Sequence, residues 1–182
     1  STFKVVTGTA GLQEGMVSPL NTFICTGIWN ELSQPFKCWG SHGAVDLKAA
    51  IVQSCDTYFY NVGYRFYQAD NLGMQKWARQ MGLERETGID IPGEATGRIP
   101  DPEWKRAAGV TEEDQMWMPG DSVNLSIGQG DLLATPMQMA TLYSGIANGG
   151  YSVTPNLGLR VEDETGKQVA DLTDQLQTMQ PR

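Results

Sequence analysis

The first fourteen residues, STFKVVTGTAGLQE, constrain the fold more than any other stretch of this chain. They read as a helix stopped by Gly15, yet Gly8, Ala10 and Gly11 leave that helix little side-chain bulk. Each glycine costs roughly 1 kcal/mol of helix stability relative to alanine, but it also lets a neighbour approach the backbone closely. The expectation is therefore a tightly packed central helix. Its opening turn carries Ser1 and Lys4, and positions i and i+3 share a helix face. That places a nucleophilic hydroxyl beside a candidate base. About one Ser-x-x-Lys spacing is expected by chance in a chain of this length, so the pair needs partners before it signifies chemistry.

A partner lies in Ser54-Cys55-Asp56. The residues around it, Ala49, Ala50, Ile51, Tyr58, Phe59, Tyr60, Val62 and Phe66, suit helix on both sides of the serine. Asp46 is placed to cap the helix leading into it. Residues 16–43 mix Pro, Gly, Trp and Cys without a helical period and read as loops with short strands. Asp70 could cap a further helix through Met81, closed by Gly82. Residues 83–120 read as a long irregular excursion with a short strand at TGIDI. Thr135-Pro136 is a helix start, a capping hydroxyl followed by proline at the first helical position, and Gly149-Gly150 ends that run. Beyond Pro155, the segments 157–161 and 168–170 flank a polar turn at 163–166 and suggest a hairpin. Gly128-Gln129-Gly130 lacks both the lysine of a phosphate loop and the third glycine of a dinucleotide fingerprint, so it reads as a turn. Asp121 and Asn124 read as side chains bonding loop backbone. The fold class is mostly α with short strands.

Thirteen basic against twenty-one acidic residues give a net charge of -8, which opposes binding to a phosphate backbone or an anionic membrane surface. Nucleic acid is excluded as a partner on that ground. No apolar run approaches the roughly 18 residues a membrane-spanning helix needs, and no charged-then-apolar leader is visible.

The serine-lysine pair and the Ser54-Cys55-Asp56 triplet resemble the first two of the three motifs of penicillin-recognising serine enzymes, S-x-x-K, S-D-N and K-T-G. No lysine here is followed by Thr-Gly, so the third motif is absent from this chain. The strings STFKVV, CWGSHGAVDL, SCDTYFYNVG, TGIDIPGEATGRIPDPEWK and GDSVNLSIGQGDLLATPMQMA extend the likeness. Together they resemble the transpeptidase domain of class B penicillin-binding proteins, and within that class the elongation-type penicillin-binding protein 2. The strings occur in the family's order, and the likeness weakens after about residue 155.

The resemblance implies that residues 1–182 are a partial transpeptidase domain, the helical part of the penicillin-binding and serine β-lactamase-like fold, lacking its upstream strands and its downstream K-T-G strand. It implies a peptidoglycan D,D-transpeptidase that cross-links D-Ala-D-Ala stem peptides through a serine acyl-enzyme, is acylated by β-lactams and needs no cofactor for catalysis. Implied partners are cell-wall elongation proteins, including a glycosyltransferase. The implied location is the extracytoplasmic, periplasmic face of the inner membrane, reached through an anchoring helix outside this chain. The piece by itself is expected to be poorly active, because one oxyanion donor belongs to the missing strand.

Carried over residue by residue, Ser1 matches the nucleophile, Lys4 its base, Ser54 the serine that relays a proton to the leaving group, and Asp56 the residue that bonds the lysine or the substrate amide. Many relatives carry asparagine at that last position. Aspartate keeps an acceptor there and loses an amide donor. A rival enzyme reading makes Ser1, as the first residue, an N-terminal nucleophile whose own amine is the base.

A non-enzymatic reading starts from the cysteines. All three, with the only histidine, fall between residues 25 and 55, as Cys25, Cys38, His42 and Cys55, separated by twelve, three and twelve residues. Three thiolates and an imidazole form a complete tetrahedral set for a structural zinc ion, with no position open for catalysis. On this reading the piece is a zinc-braced structural or interaction module. The competing reading is a Cys25–Cys38 disulfide with Cys55 a buried free thiol. Zinc is favoured because a disulfide leaves the histidine unexplained and because elongation-type relatives resemble this chain in metal-capable side chains at similar places.

Overall fold

The computed structural model describes residues 2–172 and 180–181. The chain divides into two compact units, one built from residues 1–78 and 99–132 and the other from 79–98 and 133–182.

In the first unit, helix α1 (Lys4–Gln13) is followed by strands β1 (Phe23–Cys25), β2 (Ile28–Trp29), β3 (Phe36–Lys37) and β4 (Gly43–Val45). Helices α2 (Leu47–Val52), α3 (Asp56–Gln68), α4 (Gly73–Gln80, its last two residues in the second unit), α5 (Pro102–Ala108) and α6 (Pro119–Ser126) come next. The strands form two antiparallel ribbons. Phe23 pairs with Val45 and Cys25 with Gly43 in one, and Trp29 with Phe36 in the other.

The small residues of α1 do what the sequence suggests. A Cβ on Gly8 would lie 3.2 Å from Leu47, and one on Gly11 would lie 3.0 Å from Val17 and 3.2 Å from Val62. Here α2 and α3 close directly onto the α1 backbone, and Val6 and Ala10 are fully buried. Helix α3 is the core element, with Tyr58, Phe59, Val62 and Phe66 buried along it. At Gly63 it meets α6 so closely that a Cβ would sit 2.6 Å from the Ser122 carbonyl oxygen. The Thr7 hydroxyl ties α1 to α6 by donating to the Ser126 carbonyl at 2.7 Å.

Two local expectations need correction in this unit. The turn before α4 is capped by Asn71, whose side-chain oxygen accepts from Gly73 N at 2.7 Å, while Asp70 sits in left-handed conformation at φ 47. One residue decides this, because only Asn71 stands two positions before the first helical amide. Within the stretch read as irregular, Asp101 caps a real helix, α5, by accepting from Trp104 N at 2.8 Å, with Pro102 at its start. Gly128 and Gly130 both have φ 76, as a turn requires. Asp121 bonds loop backbone as expected, accepting from Met118 N at 2.7 Å, and also pairs with Lys105.

In the second unit, Thr135 and Gln138 exchange reciprocal bonds at the start of helix α7 (Pro136–Ala147). This is the capping-box arrangement that satisfies two otherwise orphaned donors. Strands β6 (Arg160–Glu162) and β7 (Gln168–Asp171) form the expected hairpin, and β5 (Tyr151–Ser152) pairs with β8 (Gln180–Pro181). TGIDI is not a strand. The Glu94 carboxylate takes the Thr87 and Gly88 backbone amides, and Gly88 has φ 81, so this backbone bonds to a side chain in place of a sheet partner. No helix among the described residues is long and apolar enough to cross a membrane.

Candidate acyl-transfer site and thiol cluster

Lys4 occupies the first turn of α1 and is 3% exposed. A buried ammonium is costly unless each of its three donors finds an acceptor. Here each does. Nζ lies 2.6 Å from Asp56 Oδ1, 2.7 Å from the Ser54 carbonyl oxygen and 2.8 Å from Ser54 Oγ. The Phe59 ring closes one side, its centroid 5.8 Å away.

Ser54 reaches Lys4 with two atoms because of how α2 ends. Ser54 N donates to Ile51 O at 3.2 Å and Cys55 N to Ala50 O at 2.9 Å, the paired bonds of a Schellman terminus, which calls for a left-handed residue at the position Ser54 holds. Its φ is 50. Glycine is the usual occupant, since a side chain in that region is strained. A glycine there would have no hydroxyl; Ser54 turns both its hydroxyl and its carbonyl toward the same amine. Cys55 then precedes α3, and Asp56 opens it, so its charge also sits at the favourable N-terminal end of the helix dipole.

Ser1 lies outside the described residues. The structure thus brings Lys4, Ser54 and Asp56 together. One contributor was missed by the sequence reading: Trp39 Nε1 donates to the carbonyls of Gln53 and Ser54, each at 3.1 Å. Its only sequence signal was its place in the CWGSHGAVDL string.

Directly beside this centre, Cys25, Cys38, His42 and Cys55 bring four ligand atoms to within 4.8 Å of one another. Cys25 comes from the end of β1, Cys38 from just after β3, His42 from just before β4, and Cys55 from the α2–α3 junction. His42 Nδ1 is 3.4 Å from Cys25 Sγ and 3.6 Å from Cys38 Sγ. A tetrahedron with zinc–sulfur and zinc–nitrogen bonds of ordinary length has sulfur-to-nitrogen edges of about 3.5 Å. The donor set therefore fits that ion, with Nδ1 as the histidine ligand. The three cysteines are free thiols, and His42 faces the sulfurs.

The cluster also touches the lysine centre. Asp56 N donates to Cys38 Sγ at 3.2 Å, which satisfies one of the first amides of α3. Burial pushes the Cys25 thiol up, but hydrogen bonds from the Thr57 hydroxyl and from His42 and Gly27 outweigh it and leave the thiol lowered to about 6. Cys55, raised by burial and then by its neighbouring sulfurs, is pushed up to about 12.

Comparison with known proteins follows the same lines. The family model for the penicillin binding protein transpeptidase domain matches residues 1–181. The chain belongs to that family. It is 36% identical to the peptidoglycan D,D-transpeptidase MrdA of Acinetobacter baumannii over 164 residues, which is 86% of this chain and 23% of that protein. The fold superposes on the penicillin-binding protein PBP2 of Helicobacter pylori, solved in complex with MreC, with a TM-score of 0.80 and 27% identity. That match covers 100% of this chain and 30% of the other. A chain from a peptidoglycan synthase complex, solved to show how polymerization and crosslinking are coordinated, matches with a TM-score of 0.76 and 32% identity, over 100% of this chain and 29% of its own. The chain thus spans about a quarter of the length of the curated relatives it matches, 23% to 26% for MrdA proteins. The N-terminal-nucleophile reading finds no support in these likenesses.

Proposed function

We propose that this chain is part of a peptidoglycan D,D-transpeptidase that cross-links stem peptides through a serine acyl-enzyme and is acylated by β-lactams. The observation that carries this reading is the buried Lys4 ammonium, with all three donors committed to Ser54 and Asp56. Residues 1–182 form one part of a longer transpeptidase domain. Its work lies on the extracytoplasmic face of the membrane, where peptidoglycan is cross-linked, and its anchor lies outside this chain. Its partners are cell-wall elongation proteins, a glycosyltransferase among them; one relative solved with MreC and another in a peptidoglycan synthase complex support assembly with other proteins.

Ser1 is the nucleophile. Its hydroxyl oxygen attacks the penultimate carbonyl of the stem peptide, or the lactam carbonyl, and the bond to the leaving nitrogen breaks. The proton budget closes through the contacts on α2 and α3: the Lys4 ammonium gives one proton to Ser54 Oγ as Ser54 passes its own to the leaving nitrogen, and the amine so freed takes the Ser1 proton. Lys4 and Ser54 each gain and lose one proton, and the net transfer is from Ser1 to the leaving group. The carboxylate of Asp56 holds Lys4 in place throughout.

Cys25, Cys38, His42 and Cys55 would hold one zinc ion as a brace within the enzyme, with no part in the acyl transfer. Bound there, the metal would supply a charge that keeps the thiolates ionised and ties residues 25–42 to the start of α3. The donor chemistry supports this over a Cys25–Cys38 disulfide, because His42 Nδ1 faces two of the sulfurs. Family membership favours the enzyme over a purely structural module.

The test is labelling of the full-length enzyme with fluorescent penicillin. Wild type should form an adduct that mass spectrometry maps to Ser1, and Ser1→Ala should form none. An adduct on Ser54, or one that persists in Ser1→Ala, would overturn the assignment.

A further inference from the structure

We propose that Trp39 is a positioning residue for the acyl-transfer reaction: its indole N–H holds the left-handed turn at Ser54 so that the Ser54 hydroxyl and carbonyl stay aimed at Lys4. This rests on the transpeptidase reading and adds a residue outside the three motifs.

The end of α2 leaves carbonyls with no intrahelical partner. The Trp39 N–H bridges one of them, Gln53 O at the C-cap, and Ser54 O one residue beyond, at 3.1 Å each. The second oxygen also accepts from Lys4 Nζ at 2.7 Å, so the indole and the ammonium share one acceptor. Ser54 holds a φ of 50, a conformation that a serine leaves readily unless its surroundings over-determine it. The two Schellman bonds set the backbone path from the amide side. On the carbonyl side, Trp39 and Lys4 both bond the Ser54 oxygen.

Hydrophobic burial does not account for this tryptophan. It is 70% exposed among the described residues, while its indole N–H is bonded to two backbone carbonyls. The ring packs against His42 in a T-shaped pair, with centroids 4.7 Å apart at 65°. That contact orients the N–H. The consequence is specific to the chemical step: without the N–H, Ser54 should relax, the 2.8 Å contact between Lys4 Nζ and Ser54 Oγ should lengthen, and the proton path through Ser54 should weaken, while ligand recognition stays.

The experiment uses full-length enzyme and saturation kinetics of penicillin acylation, which separate the dissociation constant of the first complex from the acylation rate constant. Trp39→Phe should lower the rate constant about tenfold and change the dissociation constant less than about twofold. Replacing Trp39 with β-(3-benzothienyl)alanine, which keeps the ring shape and deletes only the N–H, should reproduce that loss. 5-Fluorotryptophan, which retains the donor, should rescue it. An unchanged rate constant in the benzothienyl protein overturns the proposal. So does a loss that appears in the dissociation constant alone, since the ring would then be contacting the ligand. If the wild-type adduct does not map to Ser1, the transpeptidase reading itself has failed, an outcome visible before any variant is compared.

Discussion

Two clusters meet at residues 54–56, and they are electrostatic opposites. At Lys4 a buried cation faces a carboxylate, a carbonyl and a hydroxyl at 2.6 to 2.8 Å. At the thiol cluster, three sulfurs and an imidazole face one another within 4.8 Å, and every one of them is a lone-pair donor. The first set is complementary within itself. The second meets partners outside itself, with Asp56 N on Cys38 Sγ and Thr57 Oγ1 and Gly40 O beside Cys25 Sγ. On the reading proposed above, the first keeps a proton carrier in a single place and the second would grip a metal that stiffens the same backbone.

If that contrast is right, damage to the lysine centre should fall on catalysis. Lys4→Met, which keeps the side-chain volume and deletes the charge, should reduce penicillin acylation of the full-length enzyme by roughly 1,000-fold or more. Acylation within tenfold of wild type would remove Lys4 from the proton path.

Asp56→Ala should slow acylation by roughly 10- to 100-fold. It should also destabilise the fold by about 1–3 kcal/mol, because a buried ammonium loses one of its three acceptors. Asp56→Asn should cost less in both respects, since an amide oxygen can take the place of Oδ1. Equal effects from alanine and asparagine would mean that charge, and not hydrogen-bond geometry, is what Lys4 requires.

Damage to the thiol cluster should fall on stability instead. Chelation, or Cys38→Ser, should lower the melting temperature of zinc-loaded protein, with about 2.7 kcal/mol lost if free zinc stands at a hundredfold its dissociation constant. X-ray absorption should show three sulfurs and one nitrogen. An unchanged melting temperature on chelation, with a Cys25–Cys38 crosslink on peptide mapping, would replace the zinc brace with the disulfide.

The smallest effect concerns pH in the chelated protein. A Cys25 thiol lowered to about 6 from 9.0 stabilises the fold fully above 9.0, and that contribution is lost as pH falls through about 6. A Cys55 thiol raised to about 12 acts in the other direction: its contribution is complete below 9.0 and is lost as pH rises toward about 12. Stability should therefore climb between about 6 and 9 and decline above that. Zinc, which holds the cysteines as thiolates throughout, should flatten the profile. A flat profile without metal would contradict the contrast between the two thiols.

Much of the candidate site was legible because its parts are rare and chemically marked. Ser54 and Asp56 stood out beside Lys4 as a family motif, and the cysteine–histidine set stood out as the whole of the chain's thiols and imidazole. Local caps were legible too, Asp46 and Thr135 among them, since each acts on an amide three residues away. Asp70 and TGIDI show where that local reading stops. A neighbouring asparagine with better reach took the cap, and the Glu94 carboxylate, just past TGIDI, took backbone amides that a strand would have paired.

The amino-acid sequence by itself determined which residues could do chemistry, that α1 had to be packed closely along its glycines, and that helices flank Ser54. Tertiary structure alone decided that Lys4 uses two atoms of Ser54, that Cys38 caps α3 through its sulfur and that Trp39 holds the turn. These contacts join residues 50, 18 and 15 positions apart. Hydrogen bonds are short and directional, so whether such pairs meet depends on the seating of α1 against α2 and α3 to within a fraction of an ångström. Periodicity and spacing carry no information at that distance.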